Sequence, residues 1–216
     1  MLYFKSLQIG NDEEAKFQNV IVLHGVGSDE NSLIAFVKNV NVPGHYFFLR
    51  GPLALGPGRN AWFEVQFTTH GPVHNQDQAE DSLSLLKNWI DENKKSGVLK
   101  DKSKLVFMGF SQGAIMSYAF SFRYPDSVDK VIGLNGRVLK EVEALKPNLD
   151  CKKIMINSLY GLQDQVQPIH FGHEAKLRFE KTWIILNYKE INVGHEINHE
   201  TLVFTKEALS LNLISS

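Results

Sequence analysis

The stretch Leu105-Val106-Phe107-Met108-Gly109-Phe110-Ser111-Gln112-Gly113 runs four apolar residues directly into a G-x-S-x-G turn. The residues that follow, Ala114 to Phe122, read as a helix. Strand, sharp turn and helix in that order place a serine on a strained corner and lift its hydroxyl out of the core. The flanking glycines have a steric reason, since side chains there would collide with the neighbouring strand and helix. Gln112 stands at a helix N-terminus, so its N–H faces the anion that forms when a serine attacks a carbonyl. The five-residue pattern alone is common by chance, and its setting gives it weight.

Short apolar runs recur along the chain: Val20-Ile21-Val22-Leu23, Tyr46-Phe47-Phe48-Leu49, Val131-Ile132-Gly133-Leu134, Ile154-Met155-Ile156 and Trp183-Ile184-Ile185-Leu186. Strands apolar on both faces belong in a sheet covered by helices on both sides. From Gln76 to Lys94, Leu83, Leu85, Leu86, Trp89 and Ile90 fall on one helical stripe, with Gly97 as terminator. Ser32 to Val40 and Ile197 to Leu213 are further helices, and another begins near His170. The alternation predicts an α/β fold with a mainly parallel sheet. Between Gly51 and His74 lies a long Gly/Pro-rich piece, read as an irregular functional loop.

The 216 residues carry 23 Lys+Arg against 24 Asp+Glu, a formal charge of −1. That length suits one domain, residues 1–216. Apolar content of 43% excludes a disordered chain, and the neutral balance argues against a nucleic-acid partner. One cysteine, Cys151, excludes a disulfide scaffold and is expected to be packed rather than reactive. No signal-peptide pattern opens the sequence and no apolar run approaches ~20 residues. A cytoplasmic protein without stable membrane insertion is therefore expected, its oligomeric state unreadable from sequence.

A serine hydroxyl is a weak nucleophile, so the turn calls for an orienting acid and then a base later in the chain. Asp164 follows the strand Lys153 to Asn157, and His195 lies between the strand Trp183 to Tyr188 and the last helix. Both fall at carboxyl ends of strands, where open α/β sheets hold their sites. A second anion-hole donor is expected after an early strand, and Val26 in Leu23-His24-Gly25-Val26-Gly27 fits.

These residues together carry a family resemblance. Leu23-His24-Gly25-Val26-Gly27-Ser28-Asp29-Glu30, Gly109 to Gly113, Gly161-Leu162-Gln163-Asp164-Gln165-Val166-Gln167-Pro168 and Gly194-His195-Glu196-Ile197 resemble the small carboxylesterase/phospholipase family of α/β-hydrolases, which includes acyl-protein thioesterases. Arg50-Gly51-Pro52 and Trp62-Phe63 extend the likeness over nearly the whole chain. It implies a serine hydrolase without a lid domain, acting on small ester or acylated substrates without a cofactor. Ser111 would be nucleophile, His195 base and Asp164 its orienter, with Val26 and Gln112 N–H groups as oxyanion hole. Tyr160, where the family often has His, and Gln165, where Pro is common, depart from the pattern and put substrate preference in question. Trp62, Phe63 and Val166 are candidates to line the substrate site. Arg50 and Arg59 could meet an anionic substrate group, and Arg50 could equally brace its loop.

Two rivals remain. His195-Glu196-Ile197-Asn198-His199 spells H-E-x-x-H, the zinc hydrolase pattern, which needs both histidines on one helix and a third ligand. Gly194 suggests a turn instead, leaving His199 on a helix surface and Glu196 in the first helical turn. A non-catalytic binding module on the same fold is the second rival. His24 is read as an anchor for the anion-hole loop, and His170, His173 and Glu174 as a solvated face.

Overall fold

The structure, a computed structural model, describes residues 2–11, 13, 18–68, 71–100, 104–139, 154–182 and 184–211. Its strands in chain order are β1 (Phe4–Ile9), β2 (Gln18–Leu23), β3 (Gly44–Leu49), β4 (Leu53–Gly56), β5 (Arg59–Ala61), β6 (Val65–Thr68), β7 (Gly71–His74), β8 (Lys104–Phe110), β9 (Lys130–Leu134), β10 (Met155–Gly161) and β11 (Ile185–Ile191). The helices are α1 (Ile34–Val40), α2 (Gln76–Lys95), α3 (Gln112–Arg123), α4 (His170–Phe179) and α5 (His199–Ser210). Seven strands form one sheet in the order β1-β3-β2-β8-β9-β10-β11. Every pairing is parallel except β1 with β3.

Alternation along each strand builds two cores. Ile21, Leu23, Phe107 and Val131 point to the face covered by α2, α3 and α4, where they meet Leu86, Trp89, Ile115 and Phe179. Val20, Val22, Val106 and Met108 point the other way, onto Val37 and Val40 of α1 and Phe204 and Ala208 of α5. This is why the central strands read as continuous apolar runs. It is the α/β-hydrolase fold, and no separate lid is evident among the described residues.

The structure corrects several expectations. The piece from residue 51 to 74 is not irregular: it contains two small hairpins, β4 with β5 and β6 with β7. A hairpin stays hidden in sequence when glycine and proline interrupt its strands. The first strand, β1, was not anticipated, because as a half-exposed antiparallel edge it lacks an apolar run. The last strand runs to Ile191 and alternates in exposure, as an edge strand should. Cys151, Lys153 and Trp183 lie outside the described residues. The final helix starts at His199, where Asn198 accepts the Thr201 N–H in a capping box. No helix among the described residues is long and apolar enough to cross a membrane.

Candidate active site

The corner between β8 and α3 holds Ser111 at φ 54°, ψ −118°, a left-handed conformation that costs a non-glycine residue about 1–3 kcal/mol. A Cβ on Gly109 would run into the Gly113 main chain, and one on Gly113 into the Leu23 carbonyl on β2. The two glycines thus let helix, turn and neighbouring strand close on one another. The N–H of Ser111 is fixed by the Leu134 carbonyl at the end of β9, 2.9 Å away.

Three groups converge from separate elements. His195 Nε2 lies 2.9 Å from Ser111 Oγ, and His195 Nδ1 lies 2.6 Å from Asp164 Oδ2. The other oxygen of Asp164 accepts the N–H groups of Val166 (2.8 Å) and Gln167 (2.7 Å). With one oxygen held by its own loop, the carboxylate can turn only the second to the imidazole, which fixes a proton on Nδ1 and leaves Nε2 to accept. The His195 ring packs on Phe110 at 5.0 Å.

A cleft of about 400 Å³ opens beside Ser111 and His195. Val26, Leu33, Phe110, Val166 and Ile197 give it an apolar lining, and Ser28, Ser32 and Glu196 add polar groups. Val26 and Val166, 46% and 45% exposed, stand at its mouth. Glu196 therefore faces the cleft ahead of the helix cap at Asn198, a correction to its placement in the first helical turn. The N–H of Gln112, at the first position of α3, is one of the donors that helix geometry leaves without an internal partner.

The loop carrying Val26 is anchored from below. His24 Nδ1–H donates to the Gly25 carbonyl (2.7 Å) and Nε2 accepts the Gly51 N–H (2.9 Å), so the ring is neutral. Burial lowers its pKa, in keeping with that neutral form, partly offset by the Gly25 bond. The anchoring role read for His24 is what these bonds describe. On the outer side, Gly27 N–H donates to the Asn60 carbonyl and Asn60 N–H to Ser28, tying the loop to β5.

Trp62 and Phe63 do not line the cleft. Both are wholly buried, since the link between the two hairpins packs onto α2 and the corner at Ser111. Trp62 Nε1–H donates to the His24 carbonyl at 3.0 Å. The side chain of Gln112 accepts the Trp62 N–H (2.8 Å) and donates to the Phe63 carbonyl (2.7 Å). Sequence reasoning considered only the main chain of Gln112 and missed this clamp; nothing in a G-x-S-x-G pattern signals it.

Arg50 braces its loop. Its guanidinium grips Glu30 with two bonds of 2.6 and 2.7 Å and lies over the Tyr3 ring. The Glu30 side chain is 1% exposed and that of Arg50 39%, so the pair closes the loop rather than presenting a cation to substrate. The Arg50 hydrogen bonds hold the Glu30 carboxyl below its ordinary range. Arg59 is exposed beside Gly27 and lies outside the cleft lining. Tyr160 turns into the core against Gly172 and Tyr188, and Gln165 is exposed. Neither departure displaces Asp164 from His195.

The zinc arrangement requires one helix through His195 and His199, but α5 begins only at His199. Both His195 nitrogens face Asp164 and Ser111. His170, His173 and Glu174 sit on the exposed side of α4, with His173 Nε2 3.0 Å from Glu190.

Comparison with known proteins agrees with this architecture. The family described as Phospholipase/Carboxylesterase matches residues 5–213. An uncharacterized hydrolase of Schizosaccharomyces pombe is 34% identical over 122 residues, spanning 50% of this chain and 50% of that protein. Acyl-protein thioesterase 1 of Kluyveromyces lactis is 26% identical over 183 residues, 78% of this chain and 79% of the relative. The crystal structure of a carboxylesterase from Mesorhizobium loti superposes with a TM-score of 0.80 at 19% identity, covering 97% of this chain and 94% of the other, a likeness of fold.

Proposed function

The chain belongs to the phospholipase/carboxylesterase family of hydrolases, and on that premise we propose that it cleaves carboxylic esters or thioesters through an acyl-enzyme. The reading treats the chain as one hydrolase domain. The observation that carries it is the continuous line from Asp164 Oδ2 to His195 (2.6 Å) and from His195 to Ser111 Oγ (2.9 Å).

In this scheme Ser111 Oγ attacks the carbonyl carbon while His195 Nε2 takes its proton. Asp164 keeps the imidazole in the accepting tautomer and stabilises its cation. The N–H groups of Val26 and Gln112 receive the oxyanion, the latter aided by the α3 dipole. Collapse of the tetrahedral intermediate breaks the ester bond, His195 returns the proton to the leaving alcohol or thiol, and water repeats the sequence on the acyl-Ser111 ester. The scheme requires no metal or organic cofactor.

The apolar wall of Val26, Leu33, Phe110 and Ile197 suits the hydrocarbon part of a small or protruding acyl group. The name of the Kluyveromyces lactis relative makes thioesters a sensible second substrate class. Ser111→Ala should abolish hydrolysis of a short acyl aryl ester while leaving thermal unfolding essentially unchanged. Undiminished turnover by a folded Ser111→Ala variant would sink the reading.

A further inference from the structure

We propose that Asn135 is a positioning residue that holds the acid and base loops in register with the Ser111 corner, an inference resting on the triad reading above. Asn135 follows β9, the strand between the one that leads into Ser111 and the one that leads to Asp164. It is 1% exposed and adopts φ 51°, the left-handed conformation that Asn tolerates better than most residues. Its N–H donates to the Leu159 carbonyl of β10 (2.8 Å), while the carbonyl just before it, that of Leu134, receives the Ser111 N–H.

The side chain reaches both loops. Oδ1 accepts the Gly161 N–H at 3.0 Å, and Nδ2 donates to the Gly194 carbonyl at 3.4 Å, a long bond. Gly161 opens the segment that carries Asp164, and Gly194 immediately precedes His195. The orientation of the amide is set by its partners, because an N–H stands on one side and a C=O on the other. Aspartate would turn a second acceptor on the Gly194 oxygen, and an apolar residue would leave both groups without this partner.

The acid and base loops are also joined directly. Leu162 N–H donates to the Ile191 carbonyl (2.8 Å) and Gln163 N–H to that of Val193 (2.9 Å). A Cβ on Gly161 would stand 2.5 Å from the Val193 oxygen, so the two backbones are in contact there. The loops can thus shift as one body, keeping Asp164 against His195 while His195 moves relative to Ser111. The Asn135 side chain fastens that body to the β9 corner beside Ser111. A displacement of about 1 Å at that gap is worth roughly 100-fold in rate.

The test is Asn135→Gly, which removes both side-chain bonds and leaves the left-handed backbone unstrained. Hydrolysis of a short aryl ester and the rate and extent of Ser111 labelling by a fluorophosphonate are measured together. The expected result is a fall in kcat of about 10- to 100-fold with KM within about threefold. The labelling rate should drop in parallel, yet labelling should still reach every molecule. Complete labelling separates slow chemistry from loss of folded protein, which a merely structural role would produce. Asn135→Asp, nearly isosteric, should show the same division between kcat and KM, and it serves where the glycine variant does not fold. A kcat within about twofold of wild type in both variants overturns the proposal, as does a fall matched by the loss of labelled fraction or a change confined to KM. Wild-type protein that turns over ester without labelling at Ser111 would overturn the triad reading itself, and this proposal with it.

Discussion

Two walls face each other across the cleft, and they are fastened differently. The wall bearing Ser111 and the loop of residues 24–30 is held by buried side chains that bond to main chain: His24 to Gly25 and Gly51, Trp62 to His24, and Gln112 to Trp62 and Phe63. The Arg50–Glu30 pair closes its outer edge. The wall bearing Asp164 and His195 is two loops bonded to one another and reached from β9 by the Asn135 side chain. Many independent bonds, each worth about 1 kcal/mol net, make the first wall robust in geometry, so a lost bond registers as stability. On the second wall a lost bond should register as a change in the distance between His195 and Ser111.

Substitutions on the second wall should therefore cost the most activity. Asp164→Asn should lower kcat by about 10⁴-fold, because the imidazole loses the partner that sets its tautomer, while thermal unfolding stays near that of wild type. A loss below tenfold in steady-state assays would mean that Asp164 does not orient the base.

The first wall is tested by Gln112→Ala, which keeps the main-chain donor but strands the Trp62 N–H and the Phe63 carbonyl in the core. Urea unfolding should show a loss of about 2–4 kcal/mol. Unchanged stability would mean that the Gln112 side chain does not clamp residues 62 and 63.

The smallest effect should come from Arg50→Met, which leaves a buried Glu30 without its partner. A loss of about 1–3 kcal/mol is expected, with KM unchanged for both neutral and anionic esters. A KM that rises only for the anionic ester would return Arg50 to the substrate. The pH dependence has a definite sign. Glu30 ionises more readily folded than unfolded, so the stabilisation is complete above the unfolded value of ~4.3 and is lost as pH falls through the lower folded value. The stability gap between wild type and variant should narrow on that acid side.

Those differences also explain what could be read from sequence. The run from Leu105 to Gly113 is legible because one local rule, apolar strand then strained turn then helix, decides its fold. The places of Asp164 and His195 are legible because the topology puts each on a loop after a strand. The burial of Trp62 and Phe63 is not legible, because packing of the link between two hairpins against the Ser111 corner is a tertiary event, invisible in a segment dense in glycine and proline. The side chain of Gln112 was overlooked for the same reason: its partners lie about fifty residues away in sequence. Asn135 left one faint signal, an Asn-Gly pair directly after an apolar strand, which marks a left-handed corner.

Mass-spectrometric mapping after fluorophosphonate treatment decides whether Ser111 is the activated nucleophile. One adduct per chain is expected, on the peptide containing Ser111, abolished in His195→Ala and indifferent to a chelator. Ester turnover that persists with Ser111 unmodified, or that a chelator removes and zinc restores, would contradict it.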